Sequence, residues 1–190
     1  MANIFSEIEG EIFLDDCIPL DEGKIREFIL KFLTEKINSK AEKEQPFFFE
    51  DIVFDFFSYR NIKATRSKKT RDMGIDGIIT LNLDVLGNVN LGLQIKHKII
   101  NSNDIDLFLA SLKNAELQLG VIVCKDSRKL EKYELNSKLR AILLSKGIIV
   151  KERLIKEKVD INPIVVLKMS DLIELVASEM RAVAKGIYKQ

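Results

Sequence analysis

Between Ile25 and Ile37 the apolar residues fall at helical spacing. Ile25, Phe28, Ile29, Phe32, Leu33 and Ile37 form one stripe, which predicts a helix from Asp21 with one buried side. Upstream, Ile4, Phe5, Ile8, Ile12, Phe13 and Leu14 predict a shorter amphipathic helix, broken near Gly10 and ended by Pro19. Residues 38–45 are polar and read as a linker. Pro46 suits the first turn of a further helix. Phe49, Ile52, Val53, Phe56 and Phe57 make its apolar side, with Glu50 beside the stripe. That helix should end near Arg60, and Ile62 to Thr65 should form a short strand.

From residue 75 the period changes to an alternation. Ile75, Ile79, Leu81 and Leu83 are expected on one side of a strand, with Asp76, Ile78, Thr80 and Asn82 on the other. In the next strand Val89, Leu91, Leu93 and Ile95 should meet a core. Asn90, Gly92, Gln94 and Lys96 then look away, so Gln94 and Lys96 share a face. Asn103 is the expected N-cap of the following helix, with Asp104 and Asp106 in its first turn. Ile105, Phe108, Leu109 and Leu112 are its stripe. Gly120 to Cys124 reads as a buried central strand. A helix over Leu130 to Lys146, closed by Gly147, should follow. Strands at Ile148 to Val150 and Ile164 to Leu167 come next, then a last helix capped by Ser170 and carrying Leu172, Ile173, Leu175, Val176 and Met180. A hairpin followed by alternating helices and strands predicts an α/β fold with a mixed β-sheet flanked by helices. The hairpin should be antiparallel and the helix-linked strands parallel. Residues 1–45 would be an N-terminal helical extension to a main domain at 46–190.

Composition narrows the function. Of 190 residues 46% are apolar, and no run nears the roughly 20 a membrane span needs. Glu7, Glu9 and Glu11 occupy the N-terminus, where a secretory leader would be basic and then apolar, so a soluble cytoplasmic protein without a membrane partner is expected. Cys17 and Cys124 make no disulfide framework, and with one histidine there is no zinc constellation. Cys124, within an apolar run, should be a core residue. The formal charge is +1, from 30 basic and 29 acidic residues, so any grip on nucleic acid must come from a local patch. Arg66, Lys68, Lys69 and Arg71 form one such patch. Such a run is ordinarily a solvated loop, but its position before an Asp-containing turn suits phosphate contacts.

Asp76, Gln94 and Lys96 can support divalent-metal hydrolysis of a phosphodiester. Magnesium takes hard oxygen ligands, usually one or two carboxylates with waters and substrate phosphate. Asp76 can supply the carboxylate, Gln94 an amide oxygen, Ile95 a backbone carbonyl, and Glu50 a second acid acting directly or through water. Lys96 can orient the attacking water and offset charge growing on the phosphate. The site needs Asp76 nearly opposite Gln94, with Cβ atoms about 5 Å apart. That register pairs Asn82 with Asn88 and leaves a loop over Leu83 to Gly87. A tight turn at Gly87-Asn88 would instead pair Asp76 with Ile99 and remove it from Gln94 by roughly 16 Å. Each residue has a plainer alternative. Gln94 and Lys96 can simply face solvent, Asp76 and Asp72 can be turn residues, Glu50 a solvated flank, and His97 a flank of Lys96 rather than a base.

The order of these features resembles the Mrr-like branch of the PD-(D/E)XK nuclease superfamily, with its restriction-endonuclease-like fold. The resemblance runs from about Phe48 to Ile149. Phe49-Glu50 is similar to the family's Phe-Glu, Asp72-Met-Gly-Ile-Asp76-Gly to its Asp-x-Gly-Ile-Asp turn and strand, and Gln94-Ile-Lys96 to its Gln-x-Lys half-motif. Val121 to Ser127 is similar to the strand and polar turn after the next helix. The resemblance implies that Asp76, Gln94 and Lys96 are catalytic and that Glu50 is the auxiliary acid. It also implies a Mg²⁺- or Mn²⁺-dependent endonuclease acting on DNA in restriction or phage defence. Asp76, Gln94, Ile95 and Glu50 would hold the metal, and Arg66, Lys68, Lys69, Arg71 and Lys98 would hold the DNA backbone. A homodimer would bring two sites to a double strand. The alternatives are a junction resolvase or repair nuclease of the same fold, or a non-catalytic subunit of a larger defence complex.

Overall fold

A computed structural model describes residues 3–14, 21–67, 74–83, 87–117, 119–127 and 164–184. Three helices come first: α1 (Ile4–Leu14), α2 (Glu22–Asn38) and α3 (Gln45–Tyr59). The α2 stripe behaves as its spacing requires, with Ile25, Ile29 and Leu33 buried and Phe28, Phe32 and Ile37 partly so. Asp21 starts it by accepting hydrogen bonds from the Gly23 and Lys24 N–H groups. Contrary to the expected break, α1 runs straight through Gly10. Gly10 is exposed, and a Cβ there would touch nothing, while Ile8 and Ile12 on either side are buried. The N-terminus of α1 is tied to α3: Asp55 accepts the Ile4 N–H at 2.9 Å, and the Asn3 amide donates to the Asp55 carbonyl.

Five strands form one sheet in the order β1 (Lys63–Arg66), β2 (Gly77–Leu83), β3 (Gly87–Ile100), β4 (Gly120–Ser127), β5 (Ile164–Lys168). The β1–β2 and β2–β3 pairs are antiparallel, and the β3–β4 and β4–β5 pairs are parallel. Helix α4 (Ser102–Asn114) makes the crossover from β3 to β4, and α5 (Met169–Ala184) follows β5. This is the mixed sheet the pattern predicts.

The sheet separates two apolar clusters. On one face Ile79, Leu81, Leu91, Leu93, Ile95, Val121, Val123, Val165 and Leu167 join the apolar sides of α3 and α5. Helices α1 and α2 pack outside these and share the same cluster. Glu22 of α2 fastens this layer by accepting from Ser178 and Arg181 of α5. On the other face Ile105, Phe108 and Leu112 of α4 meet Ile122, Cys124 and Ile164.

Three local expectations are corrected. Ile75 lies in the α4 cluster, not with Ile79 and Leu81. Gly74, at φ +82°, turns the chain just before it, so the alternation starts only at Gly77. The α4 cap is Asn101 rather than Asn103. The Asn101 side chain accepts from Asn103 and Asp104, and Asp104 accepts the Asn101 N–H in return, a reciprocal capping box that needs an acceptor side chain three residues on. Helix α5 starts at Met169, one residue before Ser170, and Asp171 accepts the Lys168 N–H at 2.8 Å. The helix expected over 130–146, the strand at 148–150, Cys17 and Pro19 lie outside the described residues.

Gly120 is where α4 presses on β4. A Cβ there would sit 2.7 Å from Leu112 Cδ1 and from Phe108 Cε1. Gly120→Ala should therefore cost about 1–3 kcal/mol by overpacking. Urea denaturation should show a lowered midpoint at unchanged slope.

Candidate active site

The hairpin register decides whether Asp76 and Gln94 can meet. The ladder pairs Gly77 with Leu93, Asn82 with Asn88 and Leu83 with Gly87, so the longer loop is the one realised. Apolar residues then oppose apolar ones: Ile79 faces Leu91 and Leu81 faces Val89. The tight-turn register would have set Leu81 against Gln94 and Ile79 against Lys96, which is the wrong parity for a strand with one buried side.

Asp76 stands just before this ladder. Its N–H donates to the Leu93 carbonyl at 2.8 Å. The next outward donor of β3, the Ile95 N–H, then meets the Asp76 side chain, donating to Oδ2 at 2.6 Å. A carboxylate thus replaces the backbone partner at the point where β2 has not yet begun. In a strand the N–H and C=O of one residue point to the same side, so the Ile95 carbonyl faces the same β2-side edge as its N–H.

Gln94 lies on the opposite side of β3 from Leu93 and Ile95 and is 4% exposed. Its Nε2 donates to the Gly74 carbonyl at 2.6 Å. Among the described residues its Oε1 is buried with no hydrogen-bond partner. A buried carbonyl oxygen without a donor costs about 1–3 kcal/mol, so this oxygen is open to a water or a ligand. Lys96, half-buried, follows two residues on along the same face of β3.

The remaining candidates have partners within the chain. Arg66 forms a close ion pair with Asp51, lies 3.8 Å from Glu50 and stacks its guanidinium 4.4 Å from the Phe54 ring. Glu50 is thus held beside β1 by the same arginine. Lys98 donates to Asp104 at 2.7 Å. Lys68, Lys69, Arg71 and Asp72 lie outside the described residues. The His97 ring packs 5.2 Å from Phe49, which seats α3 on β3. Burial first, then the charge of Lys125, lowers its pKa. Cys124 is a core residue; burial pushes its thiol up to about 12.

Among the described residues no three His, Cys, Asp or Glu side chains gather as a metal cluster. A cation here would therefore rest on the Asp76 carboxylate together with neutral oxygens: the orphaned Gln94 Oε1 and the Ile95 carbonyl. An all-oxygen set with few charges fits Mg²⁺, which keeps waters and takes its remaining ligands from phosphate. Sulfur and imidazole donors, which would favour zinc, are missing from this set.

Three supporting residues were not singled out as such from the sequence. Ser67 closes the turn, its hydroxyl donating to the Ile75 carbonyl at 2.5 Å and its N–H to the Asp76 carbonyl at 3.0 Å. Gly74 supplies the carbonyl for Gln94. Asp104, expected only as a first-turn acid, is 7% exposed and holds Lys98 while capping α4. An acid three residues after an Asn was the signal for it.

A family model described as "Restriction endonuclease" (Mrr_cat) matches residues 41–152, more than half of the chain. No curated protein and no solved structure matches. Among the described residues no helix is long and apolar enough to cross a membrane.

Asp104 gives a pH signature. Burial alone would raise its pKa, but the hydrogen bonds from Lys98 and the Asn101 N–H, with the field of Lys96, outweigh that and lower it. A depressed carboxyl stabilises the fold above its unfolded pKa and loses that contribution as pH falls through the folded value. Thermal melts taken from about pH 6 down to about pH 2 should therefore show a steeper loss in the native chain than in Asp104→Asn.

Proposed function

From the premise that this chain belongs to the Mrr-type restriction endonuclease family and has a restriction-endonuclease-like fold, we propose that it is a Mg²⁺-dependent endonuclease. It would hydrolyse DNA phosphodiester bonds in defence against foreign DNA. The observation that carries the reading is the bond from the Ile95 N–H to Asp76, with the buried Gln94 as the preceding residue of the same strand, its Oε1 without a hydrogen-bond partner among the described residues. A charge and a lone acceptor are concentrated where one strand leaves another.

Asp76, Gln94 and the Ile95 carbonyl would hold the ion. Glu50 would complete the shell directly or through water by exchanging its contact with Arg66. When bound, Mg²⁺ supplies the Lewis acidity that polarises a phosphoryl oxygen and acidifies a water. Lys96 orients the attacking water from the Gln94 face and offsets the negative charge that builds on the phosphate during in-line displacement. Arg66 and Lys98, with Lys68, Lys69 and Arg71, grip the DNA backbone. Arg66 and Lys98 each begin paired with a carboxylate. Phosphate must displace Asp51 or Asp104, so binding should be weak and strongly dependent on salt. The same pairing, with a net charge of +1, favours one second reading: a non-catalytic nuclease-like subunit of a larger complex.

Plasmid, methylated and branched DNA incubated with Mg²⁺, Mn²⁺ or EDTA separates the two. Cleavage of at least one substrate is expected with either metal and none with EDTA. Asp76→Ala and Lys96→Ala should each lower the rate by about 10²–10³-fold or more. Undiminished cleavage in either variant removes the assigned site. No metal-dependent cleavage of any substrate selects the subunit reading.

A further inference from the structure

A primary amide has two ends of nearly the same shape and opposite hydrogen-bonding character. Turned one way, Gln94 offers a cation an oxygen ligand. Turned the other way, it offers an NH₂ group that repels the cation. Burial does not choose between them, because either end fits the same space. The neighbour does choose. The Gly74 carbonyl lies 2.6 Å from Nε2 and can only accept, so the nitrogen must face it and the oxygen must face away.

We propose that Gly74 is a positioning residue for this site: its carbonyl, presented by a left-handed turn, fixes the Gln94 amide with oxygen toward the cation. The proposal rests on the nuclease reading above and deepens it. Two features make glycine the residue for the task. Its φ of +82° lies where side chains are disfavoured. A Cβ would also come within 2.8 Å of Ser111 Oγ on α4, which would have to shift, and would stand in ordinary contact with Gln94 Nε2. The turn is therefore wedged between α4 and the amide it orients. Ser67, bonded to the Ile75 carbonyl, closes the turn from its other end.

Nuclear magnetic resonance of the full chain, labelled with ¹⁵N and ¹³C, reads both ends of the amide independently of cleavage. Before metal is added, the Gln94 NH₂ protons should exchange slowly with solvent, as donors to Gly74 must. Added Mg²⁺ should then shift the Gln94 Cδ resonance while the NH₂ protection persists. Gly74→Ala should abolish the protection and weaken the Mg²⁺ response together, while the backbone spectrum away from the turn stays in place. Should that variant not fold, the native chain alone decides. A Cδ that answers Mg²⁺ while the NH₂ exchanges freely overturns this proposal and leaves the nuclease reading intact. A protected NH₂ with a Cδ that ignores Mg²⁺ overturns the cation site, and the proposal falls with it. Unchanged protection and Mg²⁺ response in Gly74→Ala also overturns the proposal.

Discussion

One hydrogen bond, from the Ile95 N–H to the Asp76 carboxylate, governs the architecture around the site. Strand β3 is longer than β2, so part of its β2-facing edge has no strand partner. A backbone donor left unpaired there would be costly. Asp76 satisfies it with a side chain instead of a peptide carbonyl. That substitution lets the strands part while every outward donor named here stays bonded. It also leaves an ionised group at the mouth of the gap. The structural need and the chemical opportunity coincide in one carboxylate. An uncharged isostere at this position would keep an acceptor for Ile95 while removing the charge, so the two duties are separable in principle.

Charge is used sparingly around this gap. The candidate cations nearest it are not bare: Lys98 is bound to Asp104, and Arg66 to the acids of α3 and the Phe54 ring. Lys96 feels the same buried Asp104. Lys98 and Arg66 are thus held against the chain's own carboxylates. A polyanion must compete for them one at a time. Such pairing lowers the electrostatic attraction these two groups offer a polyanion.

The layers were legible in the sequence because burial is periodic. The α2 stripe, the α3 stripe and the β3 alternation each map onto a contiguous buried surface. The hairpin register was legible too, once parity is applied: only one of the two loops places Leu81 opposite Val89 rather than Gln94. What hydropathy could not carry were the polar exchanges. Asn101 and Asn103 are equal as caps until the reciprocal bond from Asp104 is counted. Ile75 changed faces because a left-handed glycine precedes it, and a backbone angle leaves no trace in an apolar pattern. Ser67 acts by donating to the Ile75 and Asp76 carbonyls, and Gly74 through its own carbonyl, which accepts from Gln94; no spacing rule encodes either. The Gln94 and Asp76 positions were found by spacing, but the orphaned oxygen on Gln94 is a fact of three dimensions.

The identity of residue 94 follows from that orphan. The position must donate at one end, to Gly74, and accept at the other. A glutamate accepts at both ends. Ionised, it would set one oxygen against the Gly74 carbonyl at the distance where Nε2 now sits, 2.6 Å. It could restore the bond only by holding a proton, and would then be as neutral as the amide it replaced. The Gln side chain is therefore not a weakened carboxylate by accident of substitution. It is the uncharged group that this turn accommodates without titrating. The consequence runs to the metal. Under the proposed metal reading, residue 94 would bring the ion an oxygen without charge, leaving Asp76, Glu50 and the substrate phosphate to supply the negative charge.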